Sequence, residues 1–192
     1  MLKKVIVFIL VTSLLVSCTF LQQVGQQTVE ALNIRNCSFN LDGLESINIG
    51  GINVKNLKSL TLQDIFTLTT CLNAKKLPIN MGVNVGASNP SATDATISKM
   101  LWTCLIDEEE LANGNTTEKF RIPAQGSTII PINVNADGFK IFSSTGIDAV
   151  RSFIGTVTNS ETITNRLAVK VKPTIEMGAS TVTLPYISLA KN

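Results

Sequence analysis

Hydrophobic and polar residues alternate most strictly over residues 77–87. One side of this segment carries six apolar residues, Leu77, Ile79, Met81, Val83, Val85 and Ala87. The other side carries Pro78, Asn80, Gly82, Asn84 and Gly86. Because successive side chains of a strand point to opposite faces, this pattern predicts a strand with one face in the core. The Asn89-Pro90 pair after it is a turn signal.

A second alternating segment, TISKMLWTCLID, covers residues 96–107 and predicts another long strand. One face of this strand carries Met100, Trp102, Cys104 and Ile106, and the other carries Ile97, Lys99, Leu101, Thr103 and Leu105. The acidic residues 107–110 follow as a turn. Shorter alternating segments lie at 36–54, 118–123, 127–136, 167–172 and 181–189, with Gly43 and Gly50-Gly51 as turns in the first. Pro131 indicates an edge strand or a bulge.

Two segments change to the period of a helix. In the first, the periodic positions are Leu62, Ile65, Phe66, Thr69 and Leu72. Thr61 and Asp64 in front of them form a predicted capping box. In the second, the periodic positions are Ile147, Val150, Arg151 and Ile154. Seven to nine strands with two short helices predict a mostly β protein built as a two-sheet sandwich.

The first 18 residues, MLKKVIVFILVTSLLVSC, have the pattern of an export signal. Lys3 and Lys4 form its positive region, and an apolar stretch too short to span a bilayer comfortably follows them. The ending Leu-Val-Ser-Cys resembles the bacterial lipobox. This resemblance implies lipid transfer to the thiol of Cys18, cleavage between Ser17 and Cys18, and acylation of the new amino terminus by fatty acids such as palmitate. A thiolate is the nucleophile that this lipid transfer requires.

The chain therefore divides into three predicted parts. Residues 1–17 are a lipoprotein signal peptide, residues 18–33 are a lipidated tether, and residues 34–192 are the folded domain. The tether contains apolar residues at helical spacing, so a short helix is an alternative for it. Thr19 provides no Asp retention signal after the lipidated cysteine, which favours the outer membrane over the inner membrane.

The charge of the mature chain excludes one class of partner. The chain has 16 Lys+Arg and 14 Asp+Glu, and two of the positive residues, Lys3 and Lys4, belong to the leader. The remaining charges balance, so no basic face for nucleic acid is expected.

Residues 77–137 resemble the late embryogenesis abundant type-2 domain, also called the water-stress and hypersensitive-response (WHy) domain. The resemblance depends on the strand LPINMGVNV, the Asn89-Pro90 turn, the strand ending Leu105-Ile106-Asp107, and the Ile122-Pro123-Ala124 turn before STIIPI. The tail VKVKPTIEMG…VTLPYISL is similar to the closing strands of bacterial lipoproteins of this kind. The resemblance implies an immunoglobulin- or fibronectin-III-like sandwich without enzymatic activity. Glu108 stands where this family carries glycine.

No catalytic, cofactor or metal site is predicted. The chain has no histidine, which excludes His-based triads and His-containing zinc sites. Cys37, Cys71 and Cys104 lack metal-site spacing. They are predicted to be small buried hydrophobic residues, although one pair could form a disulfide outside the cytoplasm. The acidic residues 107–110 are predicted to be solvated, and Trp102 is predicted to belong to the core.

Two polar residues, Asn80 and Asn84, offer the remaining candidate surface, because flanking glycines permit close approach by a partner or a bulge. The leading hypothesis is a lipid-anchored, non-enzymatic binding or structural protein of the cell envelope, active in stress protection, with an unidentified envelope partner. The alternative is a carrier of apolar small molecules or lipids, which requires a largely apolar cavity of several hundred Å³ between the sheets.

Overall fold

A computed structural model describes residues 29, 32–55, 57–158, 166–177 and 180–189 of the chain. The predicted leader, Cys18 and most of the predicted tether lie outside these residues. The strands are β1 (Ser38–Ile49), β2 (Ile52–Asn53), β3 (Pro78–Asn89), β4 (Ala95–Ile97), β5 (Lys99–Ile106), β6 (Glu109–Asn115), β7 (Phe120–Ile122), β8 (Gly126–Asp137), β9 (Leu167–Met177), β10 (Ser180–Thr183) and β11 (Ile187–Leu189). The helices are α1 (Leu62–Asn73), α2 (Phe139–Phe142) and α3 (Gly146–Thr158), and a 3-10 turn covers Ile34–Asn36.

The first sheet contains four antiparallel strands in the order β2-β1-β3-β8. Strand β3 lies inside this sheet, and its six predicted core residues are all at most 2% exposed, which confirms the strongest pattern in the sequence. Strand β8 ends the sheet, so the prediction of an edge strand from Pro131 is also confirmed.

Strand β1 corrects one prediction. Gly43 was expected to form a turn between two short strands, but it lies inside one continuous strand. The pairing of β1 with β3 shifts register between Leu41 and Gly43 and again between Leu44 and Ser46. Each shift adds a residue to β1 without ending the ladder, as a β-bulge does.

The second sheet has the order β10-β9-β5-β6, and β11 also pairs with β9. The short strands β4 and β7 form a separate antiparallel pair. Buried residues from all three sheets and from α1, α2 and α3 belong to one hydrophobic cluster. The mostly β, antiparallel fold class is therefore confirmed.

The segment 96–107 is not one long strand. It breaks at Ser98 into β4 and β5, and the two pieces pair with different strands, β7 and β9. The break turns Ile97 into the core, where it is fully buried, although the alternation placed it on the opposite face from Met100. The N–H of Ser98 donates to the carbonyl of Thr174, and the hydroxyl of Ser98 accepts from the N–H of Glu176. These hydrogen bonds stabilise the interruption between β4 and β5.

Helix α1 begins as predicted, but it buries a different side chain. The side chain of Thr61 accepts from the N–H of Asp64, and the carboxylate of Asp64 accepts from the N–H of Thr61, which completes the capping box. The one buried residue of the helix is Leu68, which packs against the turn at Gly50. Leu62 and Phe66 belong to the periodic positions of the helix, yet they are 87% and 67% exposed.

Helix α3 confirms the second predicted helix and adds two core residues to its periodic face. Its buried residues are Val150, Phe153, Ile154 and Val157. Arg151, which was included in the periodic face, is exposed and lies 3.7 Å from the carboxylate of Asp148. The buried face of α3 therefore includes Phe153 and Val157 in place of Arg151.

Candidate functional site

The polar face of β3 is shaped by its neighbour β1. A Cβ atom on Gly86 would lie 2.6 Å from the side-chain oxygen of Asn40 on the paired strand. Such a distance is far below a normal contact, so glycine is required for Asn40 to lie across the sheet. The side chain of Asn40 on β1, paired in register with Gly86, therefore explains this glycine without a bulge or a partner.

Trp102 lies in the core, as predicted, and is 8% exposed. Its ring covers Gly114 on the paired strand β6, where a Cβ atom would lie 2.5 Å from the ring. Gly114 therefore permits the indole to lie flat on the strand. The outer part of the ring also contributes to a surface cleft.

This cleft lies between the ends of β6 and β7 and the edge strand β8. Its volume is about 230 Å³. Its lining residues are Trp102, Asn115, Thr116, Thr117, Glu118, Phe120, Pro131, Ile132 and Asn133. Pockets for small molecules usually enclose about 300–1,000 Å³ and have mostly apolar walls. This cleft is smaller and more polar, so it does not favour a carrier of apolar molecules.

The three cysteines of the folded domain are free thiols. Cys104 is fully buried, as expected, whereas Cys37 and Cys71 are half-buried. Burial raises the pKa of the Cys37 thiol to about 11 and that of Cys104 to about 12. Both thiols are therefore protonated at neutral pH, which makes them poor nucleophiles and poor metal ligands.

The acidic turn after β5 contains a contact that the sequence pattern did not predict. Asp107 and Glu108 form a tight turn with φ angles of 50° and 69°, a conformation that suits glycine better than glutamate. The carboxylate of Asp107 accepts two hydrogen bonds from the guanidinium of Arg166, which also donates to Ser152 on α3. The carboxylate of Asp107 is therefore paired with Arg166, although the sequence predicted that it is solvated.

The Asp107–Arg166 pair predicts a pH dependence of stability. Hydrogen bonds from Arg166 lower the pKa of Asp107 below its ordinary value. Because the folded pKa is the lower one, the stabilisation is present above the unfolded pKa of about 3.9 and is lost as pH falls through the folded value. The Asp107 side chain is 42% exposed. We therefore expect Asp107→Asn to cost under about 1 kcal/mol at pH 7 after solvent screening. Urea unfolding at neutral pH and near pH 3 measures this cost. An equal cost at both pH values would contradict the assignment.

A second polar cluster fixes the entrance of the chain into the folded domain. The amide of Asn33 donates to the hydroxyl of Thr93 and to the carbonyl of Asp94. The carboxylate of Asp94 accepts from the N–H of Ala124 and from Arg121, and these contacts lower its pKa. The end of the predicted tether is therefore attached to the turn that follows β3.

The described part of the chain contains no group of three or more His, Cys, Asp or Glu side chains that could hold a metal ion. Within the same ranges, no helix has the length and hydropathy needed to cross a bilayer. Ser17 and Cys18 lie outside the described residues, so cleavage and lipidation remain predictions.

Comparison with known proteins identifies one family. The family model described as late embryogenesis abundant protein matches residues 84–187. No curated protein sequence matches the chain.

Among solved structures, a protein from Archaeoglobus fulgidus is 13% identical, with a TM-score of 0.38 over 76% of this chain and 92% of that one. The solution structure of a protein assigned to the late embryogenesis abundant (LEA) group is 12% identical, with a TM-score of 0.40 over 94% of this chain and 87% of that one. A protein from Arabidopsis thaliana is 15% identical, with a TM-score of 0.30 over 59% of this chain and 72% of that one.

Proposed function

Because the chain belongs to the late embryogenesis abundant protein family, a stress-related and non-enzymatic family, we propose that it is a lipid-anchored, non-enzymatic binding or structural protein of the bacterial cell envelope. The lipobox that ends at Cys18 is the observation that carries the proposal of a lipid anchor. The absence of histidine from the sequence supports a non-enzymatic role. We further infer that the domain is a sandwich of the immunoglobulin or fibronectin-III kind. Two antiparallel sheets that bury residues in one shared cluster support this arrangement.

The distance between anchor and domain supports a protein held close to a membrane. Cys18 precedes Asn33, the first of the described residues with a polar contact to the folded domain, by 15 positions. A chain of that length reaches at most roughly 50 Å when fully extended. The acyl chains would therefore keep Asn33, at the start of the folded domain, within roughly 50 Å of the bilayer surface. Two or three acyl chains make release negligible.

The arrangement of ionisable groups supports a non-enzymatic role. Two carboxylates, those of Asp94 and Asp107, are each bound to an arginine. Both have a lowered pKa, which makes them poor proton donors or acceptors near neutral pH. The thiols of Cys37 and Cys104 are protonated for the opposite reason, since partial or full burial raises their pKa.

Metabolic labelling tests the anchor directly. The full chain is expressed in a bacterium supplied with labelled palmitate, beside the variants Cys18→Ser and Cys71→Ser. We expect label in the wild type and in Cys71→Ser, and none in Cys18→Ser, which should also leave the membrane fraction. Separation of the two membranes should place the labelled protein in the outer one.

Mass spectrometry of the wild type decides the outcome. A mature chain that begins with a modified Cys18 supports the proposal. A chain that retains Met1 or carries an unmodified residue 18 refutes it.

A further inference from the structure

The outward face of the first sheet carries a row of four asparagines, one from each strand. Asn53 pairs with Asn48, Asn48 pairs with Asn80, and Asn80 pairs with Asn135. The row therefore crosses the sheet from β2 to β8. Other rows of the same face contain small polar residues, Ser46, Gly82 and Asn133 in one and Ser38, Ser88 and Ser127 in another. We call this surface the asparagine face.

The stability of the strands does not explain why four asparagines lie in one row. Asparagine is depleted in strands because its short amide competes with the backbone for hydrogen bonds. Neighbouring strands lie about 4.8 Å apart, and side chains on one face of a strand repeat at about 6.6–6.8 Å. The asparagine face is therefore an array of amides and hydroxyls, which the two bulges of β1 interrupt. The glycines of β3 let side chains of β1 lie across its centre, Glu45 and Ser46 at Gly82 and Asn40 at Gly86.

The amides of this row are available to a ligand. Within the described residues, the side chains of Asn48, Asn80 and Asn135 make no hydrogen bond, and Asn80 and Asn135 are exposed. The oxygen of Asn53 accepts only from the N–H of Lys55 in its own loop. In contrast, every buried side-chain polar atom of the described chain has a partner. The open hydrogen-bonding capacity is thus concentrated on the surface.

The charge of the asparagine face restricts its partner. The residues of these three rows are uncharged, and the next row of the same face pairs Pro78 with Asp137, whose carboxylate accepts from the N–H groups of Leu77 and Phe139. Two further charges nearby belong to Glu45, beside Gly82, and to Lys55, whose ammonium donates to the carbonyl of Glu45. A phosphate-rich or otherwise anionic polymer would require several Lys or Arg side chains, which this face does not offer. A lipid would require continuous apolar surface, which is also absent from it.

We propose that the asparagine face binds a neutral, polyhydroxylated glycan chain. A primary amide has two donors and one acceptor, so it can engage a sugar hydroxyl in either role. The edge strand adds Ile129, 54% exposed, and Pro131, whose apolar surfaces fit the C–H faces of sugar rings. The binding chemistry of the asparagine face does not depend on the lipid anchor. The inference rests on the proposed function only in locating the glycan in the cell envelope.

A retention experiment tests this partner. The detergent-solubilised full chain is passed over insoluble chitin and cellulose as neutral glycans, and over immobilised heparin as an anionic one. We expect retention by at least one neutral glycan that high salt does not reverse, and none by heparin. The double variant Asn80→Ala/Asn135→Ala should bind about tenfold more weakly, because two open amides are lost.

The matched control is Asn113→Ala, which removes an exposed strand asparagine from the other sheet and away from the cleft that Pro131 and Asn133 line. It should bind as the wild type does, and all variants should unfold at similar temperatures. Absence of retention by both neutral glycans, or equal binding by the double variant, would overturn the proposal. Because palmitate labelling measures the anchor separately, failure here leaves the lipoprotein assignment untouched.

Discussion

Replacing Asn89 with aspartate should lower the free energy of unfolding by about 3–5 kcal/mol, because it places an unpaired charge against two carbonyls. Asn89 is 1% exposed at the end of β3. Its amide nitrogen donates to the carbonyls of Thr93 at 2.9 Å and Ile122 at 3.3 Å. Its oxygen accepts from the N–H of Ser91 at 3.0 Å. Guanidinium unfolding followed by circular dichroism measures the loss.

Two further variants and the pH dependence make this prediction specific. Asn89→Ala should cost about 1–3 kcal/mol, because it leaves the same groups unpaired without adding a charge. Asn133→Asp, on the exposed face of the same sheet, should change stability by less than about 0.5 kcal/mol. Protonation of the buried aspartate at acid pH should reduce the penalty of Asn89→Asp. Equal stability of the aspartate variants at positions 89 and 133 would show that the buried amide is not required.

Short-range patterns predicted the elements whose stability is local. The alternation of β3 gave its core face correctly because all six apolar residues follow a period of two without a break. The capping box of α1 was visible because Thr61 and Asp64 are only three residues apart. In both elements, the residues that decide the conformation are close in the sequence, so the pattern contains the necessary information.

Predictions failed where a distant strand decides the local geometry. The break at Ser98 is held by the carbonyl of Thr174 and the N–H of Glu176, and neither can be located from the alternation of residues 96–107. The ion pair of Asp107 joins it to Arg166, which is 59 positions away. The bulges of β1 likewise depend on its pairing with β3.

The asparagine face, like these contacts, could not be predicted from the sequence pattern. Asn80 stood out in the sequence because of its glycine neighbours, but nothing connected it with Asn48, Asn53 or Asn135. Only the pairing of four strands places these amides in one row. A surface built across strands becomes visible with the register, whereas the lipobox is visible in four consecutive residues.

The second large effect is expected at Phe153, the residue that the helical pattern of α3 did not include. Phe153 is fully buried, and its ring centre lies 5.6 Å from that of Phe142 in α2. The guanidinium carbon of Arg166 lies 5.5 Å from the same ring centre. Phe153→Ala should therefore destabilise the fold by about 3–5 kcal/mol, through lost burial and the cavity that remains. Thermal and urea unfolding measure this value.

A double-mutant cycle with Phe142→Ala separates the ring contact from simple burial. The coupling between the two rings should be about 0.5–1.5 kcal/mol. The matched control is Phe66→Ala in α1, which removes a ring that is 67% exposed and should change stability by less than about 0.5 kcal/mol. A cost at Phe66 equal to that at Phe153 would contradict the packing, because it would require α1 to bury the face that lies open to solvent.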